Sequence, residues 1–204
     1  MNDANCAALA EHWVGKAKGA TDAVIITIGT GVGGGIIANS EILCGIDGGA
    51  GEVGHFTIRN NGRLCSCGNR GCYEQYASMT ALVRMVRQAQ KAGKLKDSRL
   101  EGTIDGKTIF DAAGKDGAID AVINEWIDYV ADGLTGLIHI FNPQIVLVGG
   151  GVSAQKKYFI EPLRRKVLDR VMPSYIRTLK LDAAGLGNNA GMVGAVYYCM
   201  RHGE

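Results

Sequence analysis

Short apolar runs rich in β-branched residues alternate along the chain with longer segments in which apolar residues recur at helical spacing. Short runs of this kind predict buried strands. They cover residues 23–28, a second segment ending near 38, 42–44, 145–148 and 178–181. Helices are predicted at residues 4–16, 73–92, 107–113, 116–141, from 153 through 168, and 188–201.

Two of these helix boundaries carry a clear chemical signal. Asp3 stands directly before the first helical segment, and aspartate is a routine N-cap residue. Asn142-Pro143 follows the longest helical segment. Proline disfavours helical backbone at the residue before it, so the helix is predicted to end there. From local pattern alone, Asp3 is predicted to be a cap.

Two glycine clusters follow predicted strands. The first lies between two strands and consists of Gly29, Thr30, Gly31, Val32, Gly33, Gly34 and Gly35. Its bare N–H groups could cradle phosphate oxygens, although an ordinary hairpin turn is the alternative. No helix follows it and no Gly-Lys-Ser/Thr closes it, which excludes the dinucleotide fingerprint and the Walker loop.

The second glycine cluster lies between a strand and a helix and consists of Gly149, Gly150 and Gly151. A helix N-terminus after a glycine turn favours anions, which suits a nucleotide. A tight turn between strand and helix is the alternative, and spacing alone does not decide between them.

Composition narrows the class of protein. Hydrophobic residues make up 47% of the chain, which suffices for a substantial core. The formal net charge of +2 is too close to neutral to indicate a nucleic acid or an anionic membrane as partner. No apolar run approaches the roughly 18 residues of a membrane span, and no secretory signal is recognisable. A cytoplasmic protein with reduced cysteines is therefore expected, binding neither nucleic acid nor membrane.

The most specific pattern in the chain is one histidine followed by three closely spaced cysteines. His55, Cys65, Cys67 and Cys72 make a closed set of one imidazole and three thiolates, which suits structural Zn²⁺. Two glycines between the last two cysteines would let the chain turn around the metal. A disulfide is one alternative, although it would leave one cysteine unpaired. Three unrelated buried thiols are the other.

The segment from Cys65 to Glu74 reads Cys-x-Cys-Gly-x-x-Gly-Cys-Tyr-Glu and is preceded by Glu-x-Gly-His at 52–55. It resembles the zinc motif of the ROK family of sugar kinases and repressors. The similarity extends through nearly the whole chain and is strongest to the bacterial glucokinases of that family. It implies an α/β fold of the actin-like ATPase (ribonuclease H-like) type, with a mixed β-sheet flanked by helices and a zinc-binding loop at 55–74.

The resemblance also implies a reaction, the ATP-dependent phosphorylation of glucose at its 6-hydroxyl with Mg²⁺. Asn-Asp-Ala-Asn at 2–5 is similar to the family's catalytic motif, in which Asp3 is the general base and Asn2 holds the sugar. Glu52, His55 and Glu74 are implied to bind sugar hydroxyls, and His55 also ligates zinc. A salt bridge is the alternative role for Glu52.

The same resemblance assigns the glycine clusters. Residues 29–35 are similar to the second phosphate loop of actin-like sugar kinases, and residues 149–151 to the adenosine-binding motif. Kinases of the family have a further N-terminal domain with an Asp-Ile-Gly-Gly-Thr phosphate loop, which nothing in the chain resembles. Residues 1–204 are therefore expected to form a C-terminal domain, with the N-terminal domain missing, and to be inactive alone.

The motifs leave the substrate open. Kinases for N-acetylglucosamine, N-acetylmannosamine or fructose share every motif named. Glucose is preferred because the segments 48–55 and 74–78 resemble those of bacterial glucokinases most. A sugar-responsive transcriptional repressor is the alternative outside the kinases, and the retained Asp3 favours a kinase. A homodimer is expected from the resemblance alone.

Overall fold

A five-stranded mixed β-sheet forms the centre of the computed structural model of the chain, which describes residues 2–95, 100 and 103–202. The strands are β1 (Ala23–Ile28), β2 (Val32–Ala38), β3 (Glu41–Ile42), β4 (Ile145–Gly149) and β5 (Lys180–Ala183). Their order across the sheet is β3-β2-β1-β4-β5. The β1–β2 and β2–β3 pairs are antiparallel, whereas β1–β4 and β4–β5 are parallel.

Helices cover both faces of this sheet. They are α1 (Asp3–Trp13), α2 (Glu74–Ala77), α3 (Met79–Lys91), α4 (Gly106–Ala112), α5 (Gly117–Phe141), α6 (Glu161–Leu168), α7 (Pro173–Ile176) and α8 (Ala190–His202). Within the described residues, none of them combines the length and the apolar character that crossing a bilayer requires.

The side chains of β1 show why the strand is apolar throughout. Val24, Ile26 and Ile28 contribute to a large core with α3 and α5, whereas Ile25 belongs to a smaller core with α1. Successive side chains of a strand point to opposite faces, so a continuous apolar run requires that both faces be covered. The predicted strand at 23–28 is confirmed, and so is its burial.

The single helix predicted at 73–92 is wrong, because the chain breaks at Ser78. The backbone of Ser78 is extended, with φ −73° and ψ 165°, and its hydroxyl accepts a hydrogen bond from the Ala81 N–H at 3.1 Å. Ser78 is thus the N-cap of α3. Its carbonyl accepts from the indole of the fully buried Trp126 at 3.2 Å, which fixes the break against α5.

The region after β4 also departs from the prediction of one continuous helix. One 3-10 turn (151–154) and one π-helical turn (156–160) precede α6. The third strand is shorter than predicted and shifted, since it comprises only Glu41 and Ile42. The predicted stop after α5 is confirmed: Asn142 adopts the left-handed conformation, with φ 44°, directly before Pro143.

Candidate functional site

Two turns meet at the carboxyl ends of the neighbouring parallel strands β1 and β4. The first turn, Gly29–Gly31, connects β1 to β2, and the second begins at Gly150. Gly150 has a φ of +89°, and a Cβ built there would lie 2.1 Å from the Ile28 carbonyl oxygen. Only glycine permits this approach. Ligands of open α/β sheets commonly bind at this edge.

The first turn is held in place by the start of α3. The Met79 N–H donates to the Gly29 carbonyl at 2.9 Å, and the Thr80 hydroxyl donates to the Thr30 carbonyl at 2.7 Å. Within the turn, the Gly29 N–H donates to the Gly31 carbonyl at 3.0 Å. The extended Ser78 therefore positions α3 so that it clamps a glycine turn.

The remaining members of the first glycine cluster, residues 32–35, lie in β2 and pair with β1. A Cβ at Gly35 would lie 2.5 Å from the Ala8 Cβ, and one at Gly33 would lie 2.9 Å from the Ala4 Cβ. These glycines let α1 pack directly on the strand. The sequence does not predict this packing role, because a run of glycines indicates a turn as long as the helix that packs on it is not known.

A cavity of about 620 Å³ opens beside the two turns. Its walls come from both turns, from α3 and from α4 with the residues before it. The side chains that the motifs did not identify are Met79, Thr80, Val83, Ile104, Asp105, Lys107, Phe110, Val152 and Gln155. Its size and its mainly apolar walls with a few polar groups suit a small ligand such as a nucleoside. No motif marked the apolar residues, since their spacing equals that of ordinary core positions.

Asp3 is exposed and is the first residue of α1. The cap is Asn2, whose side chain accepts a hydrogen bond from the Asn5 N–H at 2.8 Å. The prediction that Asp3 is a cap is therefore wrong. Asp3 lines a cavity of about 310 Å³ together with Gly149 and Gly150, so this residue lies close to the start of the second glycine turn.

The N-terminus of α1 is also tied to the glycine-rich loop that precedes the cysteines. The Asn2 amide nitrogen donates to the Glu52 carboxylate at 3.0 Å. One turn later, the His55 N–H donates to the Glu52 carbonyl at 3.0 Å. Behind them, the fully buried Asn5 lies next to Gly51, where a Cβ would be 3.3 Å from its amide oxygen. Asn2 and His55 thus both hydrogen-bond to Glu52, so the three residues lie next to one another.

The four predicted metal ligands come together in space. One ligand atom from each of His55, Cys65, Cys67 and Cys72 lies within 4.8 Å of the other three. The His55 Nδ1 is 3.6 Å from the Cys65 sulfur, and the sulfurs of Cys67 and Cys72 are 3.6 Å apart. All four residues are held by a loop that returns on itself, with bridges at Thr57–Cys72 and Leu64–Arg70.

The shape of the loop requires glycine at position 71, and the environments of two of its thiols differ. Gly71 has a φ of +80°, and a Cβ there would lie 1.8 Å from the Arg59 carbonyl oxygen. Burial raises the pKa of the Cys72 thiol to about 12. A hydrogen bond from the Asn69 backbone lowers the pKa of the exposed Cys67. The cluster thus combines a buried sulfur with one that faces solvent.

Glu74 joins the cysteine cluster to the first glycine turn. Its Oε1 accepts a hydrogen bond from the Cys65 thiol at 3.2 Å. A Cβ at Gly31 would lie 2.7 Å from the Glu74 Oε2, so this glycine leaves room for the carboxylate. The predicted sugar-facing residue, a predicted metal ligand and the predicted phosphate turn are therefore in direct contact.

Comparisons with known proteins relate the chain to sugar kinases and sugar-responsive repressors. The model of the ROK family matches residues 1–202. The glucokinase of Thermotoga maritima is 41% identical over 201 residues, which cover 95% of this chain and 63% of the relative. The xylose repressor of Bacillus spizizenii is 33% identical over 201 residues, covering 98% of this chain and 50% of the relative.

Among solved structures, a ROK family glucokinase from Streptomyces griseus in complex with glucose and AMPPNP matches with a TM-score of 0.90 at 36% identity. The match covers 98% of this chain and 67% of that one. The chain spans 60% to 64% of the length of the curated glucokinases that it matches. The predicted α/β fold of actin-like type, with a mixed sheet flanked by helices, is confirmed. The chain belongs to the ROK family.

Proposed function

We propose that this chain is the sugar-binding and nucleotide-binding part of a glucokinase, which transfers the γ-phosphoryl group of ATP to the 6-hydroxyl of glucose. The observation that carries the proposal is the position of Asp3. Asp3 lines one cavity with Gly149 and Gly150, while its neighbour Asn2 donates a hydrogen bond to Glu52. A base at this point lies between a site for a polyol and a site for a phosphate chain.

In this proposal Asp3 accepts the proton of the sugar hydroxyl as the hydroxyl attacks phosphorus. Asn2, Glu52 and Glu74 hold the remaining hydroxyls through amide and carboxylate groups. His55 presents its Nδ1 to the Cys65 sulfur, which leaves Nε2 on the opposite edge of the ring for the sugar. Base catalysis contributes on the order of 10²–10⁴ in rate.

The cysteine cluster is proposed to hold structural Zn²⁺. The donor set fits the ion, because three sulfurs and one imidazole nitrogen lie close enough to share one centre and complete its usual tetrahedral coordination. When bound, the ion supplies a cross-link that fixes the loop and no chemistry of its own. The loop then aims His55 and Glu74 at the sugar, as the partners of metal ligands commonly do. A reducing, cytoplasmic location keeps the thiols available.

The nucleotide is proposed to lie against the two glycine turns. The cavity of about 620 Å³ takes the adenosine, and N–H groups of the two turns, at residues 29–31 and 150–151, face the phosphates. Residues 32–35 of the first cluster and Gly149 lie in strands. The related Streptomyces griseus glucokinase was crystallised with glucose and AMPPNP, which supports this pairing of ligands. Mg²⁺ bound to the phosphates would offset their negative charge.

Phosphoryl transfer is proposed to need the additional length that the related glucokinases carry. Transfer requires a cleft that excludes water, since every electrostatic contact weakens in water. One wall of such a cleft is present here, and an N-terminal domain would supply the other. We therefore expect the 204-residue chain alone to bind ligands weakly and to be inactive. A homodimer remains a prediction, which light scattering checks.

A sugar-responsive repressor is the second candidate, because xylose repressors match the chain over most of its length at 32–34% identity. A repressor needs a DNA-binding segment and does not need a catalytic base. The presence of an exposed Asp3 that lines a cavity with Gly149 and Gly150 favours the kinase. An operator-binding activity that glucose or xylose releases would favour the repressor.

The substrate preference is tested with an enzyme that contains this chain and the additional length of its relatives. We expect glucose to give the highest kcat/KM among glucose, fructose, N-acetylglucosamine and N-acetylmannosamine, measured by coupled ADP release. A higher kcat/KM for an N-acetylated sugar or for fructose would contradict glucose as the preferred substrate but would still support a sugar kinase. No turnover with any sugar, in a folded protein that binds ATP, would contradict the kinase itself.

A further inference from the structure

A second large cavity lies away from both glycine turns, between α3 and α5 and next to the cysteine loop. Its volume is about 490 Å³, which is within the usual range for small-molecule sites. It shares no lining residue with the cavity beside the turns. One wall is apolar and consists of Met85, Ala89, Ala92, Ala118, Val122 and Tyr129.

The charged lining of this cavity is mainly cationic. Among the described residues that line it, Arg63, Arg84 and Lys94 stand against one carboxylate, Glu125. Among the residues that the structure describes, no carboxylate forms a salt bridge with any of the three cations. The described part of the lining therefore carries more positive than negative charge, which a bound anion would balance.

Two of the cations converge on one end of the cavity. The Arg63 guanidinium lies 5.5 Å from the centre of the Tyr76 ring. The Arg84 guanidinium donates to the carbonyl of Gln75, the residue before Tyr76 in the chain. The Nε of Arg84 is buried, and within the part of the chain that the structure describes it has no hydrogen-bond partner. Buried donors normally have partners. Paired guanidinium groups match the oxygens of a phosphate better than any other side chain does.

We propose that this cavity binds a phosphate monoester of small-metabolite size. The phosphate lies at the end formed by Arg63 and Arg84, within reach of the Lys94 ammonium, and the organic part packs on the apolar wall. Arg63 lies in the loop that carries the predicted metal ligands, and its backbone N–H donates to the Tyr76 hydroxyl at 2.9 Å. The ligand therefore contacts that loop. The proposal does not depend on the kinase activity.

Titration of the 204-residue chain with glycerol 3-phosphate and with inorganic phosphate, at constant ionic strength and against chloride, tests the site by calorimetry. We expect Arg84→Gln and Lys94→Gln each to raise the Kd for glycerol 3-phosphate roughly tenfold, the usual effect of losing a charge-assisted hydrogen bond. Glu125→Gln should strengthen binding, because it removes the carboxylate that opposes the three cations among the described lining residues. Lys94 and Glu125 are exposed, so these two variants should fold even if Arg84→Gln does not.

Two control variants locate the binding. Arg87 lies on α3 like Arg84 but is exposed and is not among the residues that line this cavity. Lys107 lines the other cavity, beside the glycine turns. We expect Arg87→Gln and Lys107→Gln to leave the Kd unchanged. Equal affinity of Lys94→Gln, Glu125→Gln and the unaltered chain would overturn the proposal, and so would loss of binding in Lys107→Gln alone. If inorganic phosphate bound as tightly as glycerol 3-phosphate, the proposal that the site binds a phosphate monoester would be overturned.

Discussion

Replacing Asp3 by Asn is expected to lower turnover by a factor on the order of 10²–10⁴, the usual contribution of a positioned base. The substitution removes the proton acceptor and keeps the shape of the side chain. The fold should tolerate it, because Asp3 is exposed and the cap of α1 is Asn2. The measurement is steady-state ADP release with glucose, in an enzyme that contains this chain and the additional length of its relatives.

The control for this prediction is Asp169→Asn, which also removes one exposed carboxylate but lies after α6, outside the candidate site. It should leave kcat and KM unchanged. Glucose affinity of Asp3→Asn should change little, because Asn can still donate and accept hydrogen bonds. If turnover were retained and only KM rose, Asp3 would be a binding residue rather than the base.

Removing zinc is expected to have the largest effect on stability. Structural zinc contributes roughly 10–16 kcal/mol of binding free energy in isolated peptides. Here the loop is anchored at both ends, by β2 and the following loop on one side and by α2 on the other. We therefore expect Cys67→Ser to lower the free energy of unfolding by about 3 kcal/mol or more. Cys67 is exposed, so the loss would not reflect a disturbed core.

Urea unfolding together with elemental analysis measures this effect. The unaltered chain should contain one zinc per molecule when purified without added metal. Cys199→Ser is the matched control, since Cys199 is also exposed and lies outside the cluster. It should retain both the metal and the unfolding midpoint. A zinc-free chain with the same midpoint as the zinc-loaded chain would show that the four residues form no structural metal site.

The parts of the site that were predictable from sequence are those built by residues close together in the chain. The four predicted metal ligands lie within one segment of 18 residues, from 55 to 72. Their chemical type marks them as candidates whatever the shape of the loop. The glycine turns were also predictable, because each follows an apolar strand. Asn2 and Glu52 are 50 positions apart, and their pairing was implied only by resemblance.

The parts that were not predictable depend on tertiary packing. Ser78 breaks a helix whose apolar spacing continues on both sides, and its carbonyl is engaged by Trp126, which is 48 positions away. Gly33 and Gly35 serve the contact with α1, which no local signal reveals. The walls of both large cavities are apolar or long polar side chains from separate helices, and their sequence spacing is that of ordinary amphipathic helices.

Glucose binding to the zinc-loaded 204-residue chain tests the central claim most directly, because every residue assigned to the sugar lies in this chain. Backbone amide shifts in NMR locate the binding. We expect saturable shifts at residues 2–5, 51–55 and 74, and their loss in Glu52→Gln. A folded, zinc-loaded chain in which glucose causes no saturable shift at these amides, or shifts only amides elsewhere, would contradict the assignment of the sugar site.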